Sequence, residues 1–246
     1  MTRTAVIMGA DSLPAAIAPE QRAAARIVGF LYVIQMAVAV FGESFVRGRL
    51  IVADAAKTAE NIVASERLFR LSIAGDLFVY AGVLVLTWGL YVVLRPVNRN
   101  LALLAAFFRL VETAVLCAAT VNSLVMLKLL SGAEDLNAFE ASQRHSWVKL
   151  AYSTQGFGML VGFILLGLGS ALFAYLFWKS RYVPRGLALL GIVGSLLLSV
   201  VTWATIVFPG LRVLGLSYMM PLGLYEVGLG LWLIFKGIRA PAGAPA

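Results

Sequence analysis

LALLAAFFRLVETAVLCAATVNSLVMLKLL, residues 101–130, is an apolar run interrupted by only three charges, Arg109, Glu112 and Lys128. As a helix rising ~1.5 Å per residue it is about 45 Å long, enough to cross the roughly 30 Å hydrocarbon core of a bilayer. An ionisable group at the centre of such a helix costs roughly 2.5 to 3.5 kcal/mol on insertion scales. Arg109 and Glu112 therefore have to face a bundle interior or a watery cavity and find partners there. That reading makes the chain an all-α integral membrane protein with a polar interior.

Five further runs are long enough to span, at residues 27–46, 71–94, 151–177, 186–208 and 219–235. Composition agrees, with 61% hydrophobic residues, 13% charged residues and a mean hydropathy of +0.91, more apolar material than a soluble core absorbs. The expected architecture is a bundle of six transmembrane helices over residues 26–239. Residues 1–25, containing Arg3, Pro14 and Pro19, read as a disordered tail, and residues 240–246 as another. Two short amphipathic connecting helices are expected at the interface on one side. One is capped by Asp54 and runs through Ala59, Ile62 and Phe69 into the second span; the other carries Leu136, Phe139 and Trp147.

The net charge of +8 does not point to nucleic acid, because the basic residues flank the apolar runs, where they anchor helices to phosphate headgroups. The side holding both termini carries ten Lys and Arg, packed into very short loops, against nine on the other side. The expectation is a multi-pass plasma-membrane protein with both termini cytoplasmic. Cys117 is the only cysteine, so it makes no intrachain disulfide or thiolate metal site and reads as a small packing residue.

Helical geometry sorts the polar groups. In the third span Arg109, Glu112, Thr113, Thr120 and Ser123 fall within roughly a 100° sector, with Asn122 off it. Arg109 and Glu112, three apart, can pair within the helix. The fifth span places Gly191, Ser195, Ser199, Thr202 and Thr205 on one side, where the hydroxyls either line a cavity or bond their own carbonyls. Glu43, Asp76 and Glu226 lie at similar depths below one face and are expected to converge. Four acids then face Arg109 as the single base of the spans, an acidic interior suited to a proton or cation. Asn122, Gln155 and Tyr225 are available to hydrogen-bond it. The candidate ligand or proton site comprises Glu43, Asp76, Arg109, Glu112, Asn122, Gln155, Thr202 and Glu226.

Missing residues remove several enzyme classes. His145 is the only histidine and lies in a connecting segment, which excludes bis-histidine haem and histidine-rich di-iron sites. No GxSxG, Walker, HExxH or CxxC pattern occurs. No cofactor is expected, and the one metal arrangement left is an all-carboxylate set from Glu43, Asp76 and Glu226.

Several segments carry a family likeness: Arg26-Ile27-Val28-Gly29, Glu43-Ser44-Phe45-Val46-Arg47, Thr58-Ala59-Glu60-Asn61-Ile62, Leu94-Arg95-Pro96-Val97-Asn98 leading to Phe108-Arg109-Leu110-Val111-Glu112, Tyr182-Val183-Pro184-Arg185, and Glu226 followed by Leu231-Trp232-Leu233. Over about residues 26–237 the chain resembles the bacterial "domain of unknown function 4386" family of small polytopic membrane proteins. The resemblance implies a polytopic helical bundle and brings no established activity. It also associates a histidine with the start of the fourth span, where this chain has Tyr152-Ser153-Thr154-Gln155. That departure weighs against a histidine-dependent mechanism.

Three function classes follow. In the first, the stripes of the third and fifth spans face a cavity in which Glu112 and Glu226 exchange protons and Arg109 holds a small polar or amphipathic ligand. In the second, the same residues only fix helix register in a structural or regulatory protein. The third is an enzyme acting on a lipid-like substrate. Membrane lipids are the expected partners in all three, and association into a homo-oligomer is compatible with each.

Overall fold

The computed structural model describes residues 17–131, 139–214 and 217–239. Helix α1 (Pro19–Val40) opens on a proline, whose missing N–H is no loss in the first turn. Gln21 accepts the Ala18 N–H at 3.1 Å and donates to the Val93 carbonyl at 3.0 Å, tying this start to the end of another span. The helix thus begins at Pro19 and not at Arg26, because Gln21, Ala24 and Ala25 are buried contact residues and not tail. Residues 1–16 and 240–246 lie outside the described residues.

After α1 the chain widens into a π-helical turn (Phe41–Arg47) and one turn of α2 (Gly48–Leu50). Helix α3 (Ala55–Ala64) is capped as expected, Asp54 accepting the Lys57 N–H at 2.7 Å. Then follow α4 (Glu66–Leu94), α5 (Arg99–Leu130), α6 (Ala141–Ser180), α7 (Arg185–Val207) and α8 (Met220–Phe235). Among the described residues, six helical stretches are long and apolar enough to cross a membrane: Pro19–Leu50, Glu66–Leu94, Arg99–Leu130, Ala141–Ser180, Arg185–Val207 and Ser217–Phe235. The second expected connector is not a separate helix. Trp147 lies in the first turns of α6, whose 40 residues run unbroken for about 60 Å. Leu136 lies outside the described residues.

Each span packs on the next in sequence, and α8 packs back on α1, so α1, α4, α5, α6, α7 and α8 form a closed ring. Small residues set its seams. A Cβ on Gly29 would fall 2.9 Å from the Gly230 carbonyl oxygen, and one on Gly158 2.5 Å from the Ala119 Cβ, so backbones touch where lipid offers no hydrophobic drive of its own. The outer wall is apolar, with Phe78, Trp88, Phe107, Val111 and Trp203 exposed, while Gln35, Arg109, Glu112, Thr120, Gln155 and Thr202 are buried. This is inside-out relative to a water-soluble fold and matches a chain whose solvent is lipid.

The apolar core comes in two parts. One, towards the face carrying Pro19 and Phe235, gathers Leu86, Leu90, Leu94, Phe173 and Phe177. The other, under α3 on the opposite or connector face, gathers Val46, Ile62, Phe69, Met126 and Val148.

Candidate functional site

Arg109 and Glu112 stand one turn apart on α5, and their charged groups meet at 2.9 Å with side chains only 5% and 4% exposed. The contact is an ion pair and not a well-directed hydrogen bond, since Arg109 Nη1 and Glu112 Oε2 have no partner of hydrogen-bonding geometry. Gly169 of α6 lets that helix lie on the arginine stem, a Cβ there falling 3.1 Å from Arg109 Cγ. From the other side of the ring, Glu226 of α8 is within electrostatic reach of both Arg109 and Glu112. Tyr32 of α1 is within reach of all three. Tyr225 neighbours Tyr32 and Glu226, its ring seated where Gly191 of α7 has no side chain. In this inner layer one guanidinium thus contacts one carboxylate and is within electrostatic reach of a second.

A second layer lies nearer the connector face. Arg47, at the end of the π-helical turn, is 7% exposed and bridges two acids: Asp76 of α4, and Glu43 on its own turn at 3.4 Å. The Tyr80 hydroxyl lies within reach of Asp76 and Arg47 and accepts a hydrogen bond from Thr120 at 3.5 Å. One turn nearer the connector face on α5, the Ser123 hydroxyl donates to Gln155 of α6.

The expected convergence of three acids is thus corrected to two plus one. Helix α8 runs against α1 from Met36, opposite Gly223, to Gly29, opposite Gly230, so Glu226 is level with the stretch between. Glu43 lies seven residues past Met36, about 10 Å further along the helix. The same separation takes Glu226 out of the all-carboxylate metal arrangement. Among the other candidates, Asn122 turns back on its own helix to donate to the Ala119 carbonyl. Thr202 is fully buried on α7 with its hydroxyl unpartnered among the described residues. Gln35, Tyr32 and Tyr80 escaped the sequence reading. Gln35, an amide inside an apolar run, was the one with a visible signal.

Two cavities flank α3. One of about 410 Å³ is lined by Glu60, Val63, Leu130, Arg144 and His145 among others. The other, about 270 Å³, is bounded by Val52, Thr58, Lys149, Tyr152 and Ser153.

The profile of the family described as "Domain of unknown function (DUF4386)" matches residues 27–237. The chain belongs to that family. The DUF4386 match takes in the first span from residue 27 onward, the other five spans in full, the connecting helix α3 and every candidate residue named above. An uncharacterized protein of Archaeoglobus fulgidus is 30% identical over 152 residues, covering 60% of this chain and 72% of that protein. No solved structure matches the chain.

Proposed function

We propose that this DUF4386 protein binds or transports a small polar or amphipathic ligand in the inner layer of its helix ring. The observation that supports this reading is the set of buried polar atoms without partners among the described residues: Gln35 Nε2, Ser195 Oγ and Thr202 Oγ1, besides the loosely directed Arg109 and Glu112 groups. A native interior satisfies nearly all its buried polar atoms with protein or ordered water. Several orphans in one ring are therefore suited to a ligand or to bound water. In this reading Arg109 holds an anionic or polar group, and Glu112 and Glu226 exchange protons with it.

The test is native mass spectrometry of the protein in lipid nanodiscs, comparing wild type with Arg109→Leu/Glu112→Met. A bound species that co-purifies with wild type and is absent from the folded double variant supports the reading. Identical spectra would sink it. A second reading has its own support, since Gly169 seats α6 directly on the Arg109 stem and closes the pair off as a packing element. On that account the double variant folds and loses nothing. We also infer that both termini are cytoplasmic, supported by the concentration of Lys and Arg in the short loops of the terminal face.

A further inference from the structure

The larger cavity beside α3 belongs to neither polar layer. Its volume of about 410 Å³ falls within the roughly 300 to 1,000 Å³ of ligand sites. Three elements enclose it. Glu60 and Val63 come from α3, Leu129 and Leu130 are the last two residues of α5, and Arg144 and His145 lie in the first turns of α6. The end of the α5 span puts the cavity where hydrocarbon gives way to headgroups. Trp147, two residues beyond His145 and 53% exposed, is a side chain of the type that settles at that level. Glu60, Val63 and Ala64 on the α3 wall are exposed, so the cavity opens outward.

Its lining is divided by chemistry. Val63, Leu129 and Leu130 make an apolar part, and Arg144 and His145, both half-buried, make a polar one. Glu60 is the acid of the lining among the described residues, and Lys57 already holds its carboxylate at 3.2 Å. Neither the Arg144 guanidinium nor the His145 ring has a hydrogen bond or ion pair among the described residues. A guanidinium presents a fork of N–H donors that matches phosphate oxygens, and an imidazole N–H donates beside it in either charge state. Such a pair against an apolar wall suits a molecule that is anionic at one end and hydrocarbon at the other. An ammonium headgroup would find the one carboxylate engaged.

We propose that this cavity binds one anionic phospholipid of the connector-face leaflet. Its phosphate sits on Arg144 and His145, and the start of an acyl chain runs along Val63, Leu129 and Leu130. The lipid thereby ties α3 to the end of α5 and the start of α6. The site stands apart from the inner layer and does not rest on the ligand reading given for it.

The test is protection of a thiol by lipid. Val63→Cys in a Cys117→Ala background is purified in neutral detergent, and its reaction with maleimide is timed with added dioleoyl phosphatidylglycerol, dioleoyl phosphatidylcholine or inorganic phosphate. Phosphatidylglycerol should slow the reaction at concentrations where the other two do not. Arg144→Ala/His145→Ala should raise the concentration giving half-protection by about tenfold, as loss of a charge-assisted contact would. Arg22→Ala/Lys179→Ala, on the opposite face, should leave it unchanged. Native mass spectrometry gives a second readout that needs no thiol. There the first bound phosphatidylglycerol should weaken both in Arg144→Ala/His145→Ala and in Val63→Trp, which fills the apolar part and keeps both polar side chains. Absence of protection, or binding that survives both variants, would overturn the proposal. So would equal protection by inorganic phosphate, which has no use for the apolar part, or by phosphatidylcholine, which carries no net charge. Arg109→Leu/Glu112→Met should retain this lipid, so failure here leaves the nanodisc experiment untouched.

Discussion

Glu112→Gln leaves the Arg109 guanidinium buried beside a neutral amide with Glu226 as its remaining acid, and breaking a buried pair in this way costs up to about 3 to 5 kcal/mol. Thermal unfolding in detergent should register that loss. Cys117→Ala, on the same helix but only partly buried, should stay within about 1 kcal/mol of wild type. A Glu112→Gln protein that unfolds with wild type would mean the carboxylate is neutral or solvated, ending both the ligand and the packing accounts of the pair. In the outer layer, Asp76→Asn should destabilise more than Glu43→Gln, because Arg47 holds both acids but Glu43 is far more exposed to competing water. The reverse order would mean the bridge to Asp76 is not the one that matters. The inner pair was legible in the sequence, because residues three apart on a helix face each other whatever the rest of the fold does. The surroundings of Glu226 were legible only as two alternatives, Glu43 with Asp76 or Glu112 with Arg109, since they are set by which helices meet, and apolar periodicity carries no record of that.

At the scale of single elements, hydropathy reports the membrane-buried middle of a helix better than its ends. It found all six spans but placed the start of α1 at Arg26, where charges end the apolar run, and divided α6 where its polar first turns leave the hydrocarbon. The π-helical turn left no trace, since one extra residue per turn is a local compromise without a composition of its own. Helix α3 offers a check on cap chemistry. Asp54→Ala should cost about 1 kcal/mol through the lost bond to the Lys57 N–H. Its effect should be a faster amide exchange of α3 and not its release, because Thr58 still bonds to the Val52 backbone and Asn61 to the Leu50 carbonyl. Full exchange of α3 on the timescale of the loops would show that the cap was the only tie.

Over the whole molecule, six spans require both ends of the chain on one side. Cysteines introduced at Thr2 and Gly243 should label from the same side of a sealed vesicle, and labelling from opposite sides would refute the even count. The six-span bundle could be read from composition and run length alone. Its closure into a ring could not, because a glycine that touches a neighbour looks the same in sequence as one that does not. The α1 and α8 seam tests the ring directly. Gly230→Leu drives a side chain into the space of the Gly29 carbonyl, 3.0 Å from where a Cβ would stand, and should destabilise the protein by about 1 to 3 kcal/mol. Gly156→Leu, with open space around its position, should be silent by the same thermal measurement.

That seam also orders events in time. Because the first span made by the ribosome is bounded by the last one, α1 has to wait in the membrane with Tyr32 and Gln35 facing an unfinished neighbourhood until Glu226 and Gly230 emerge some two hundred residues later. A chain that stalls before α8 is a ring with one stave missing, the seam faces of α1 and α7 left uncovered. The final helix is thus a latch on biosynthesis, and supplying it as a separate peptide to a chain ending at Leu214 should be enough to complete the molecule.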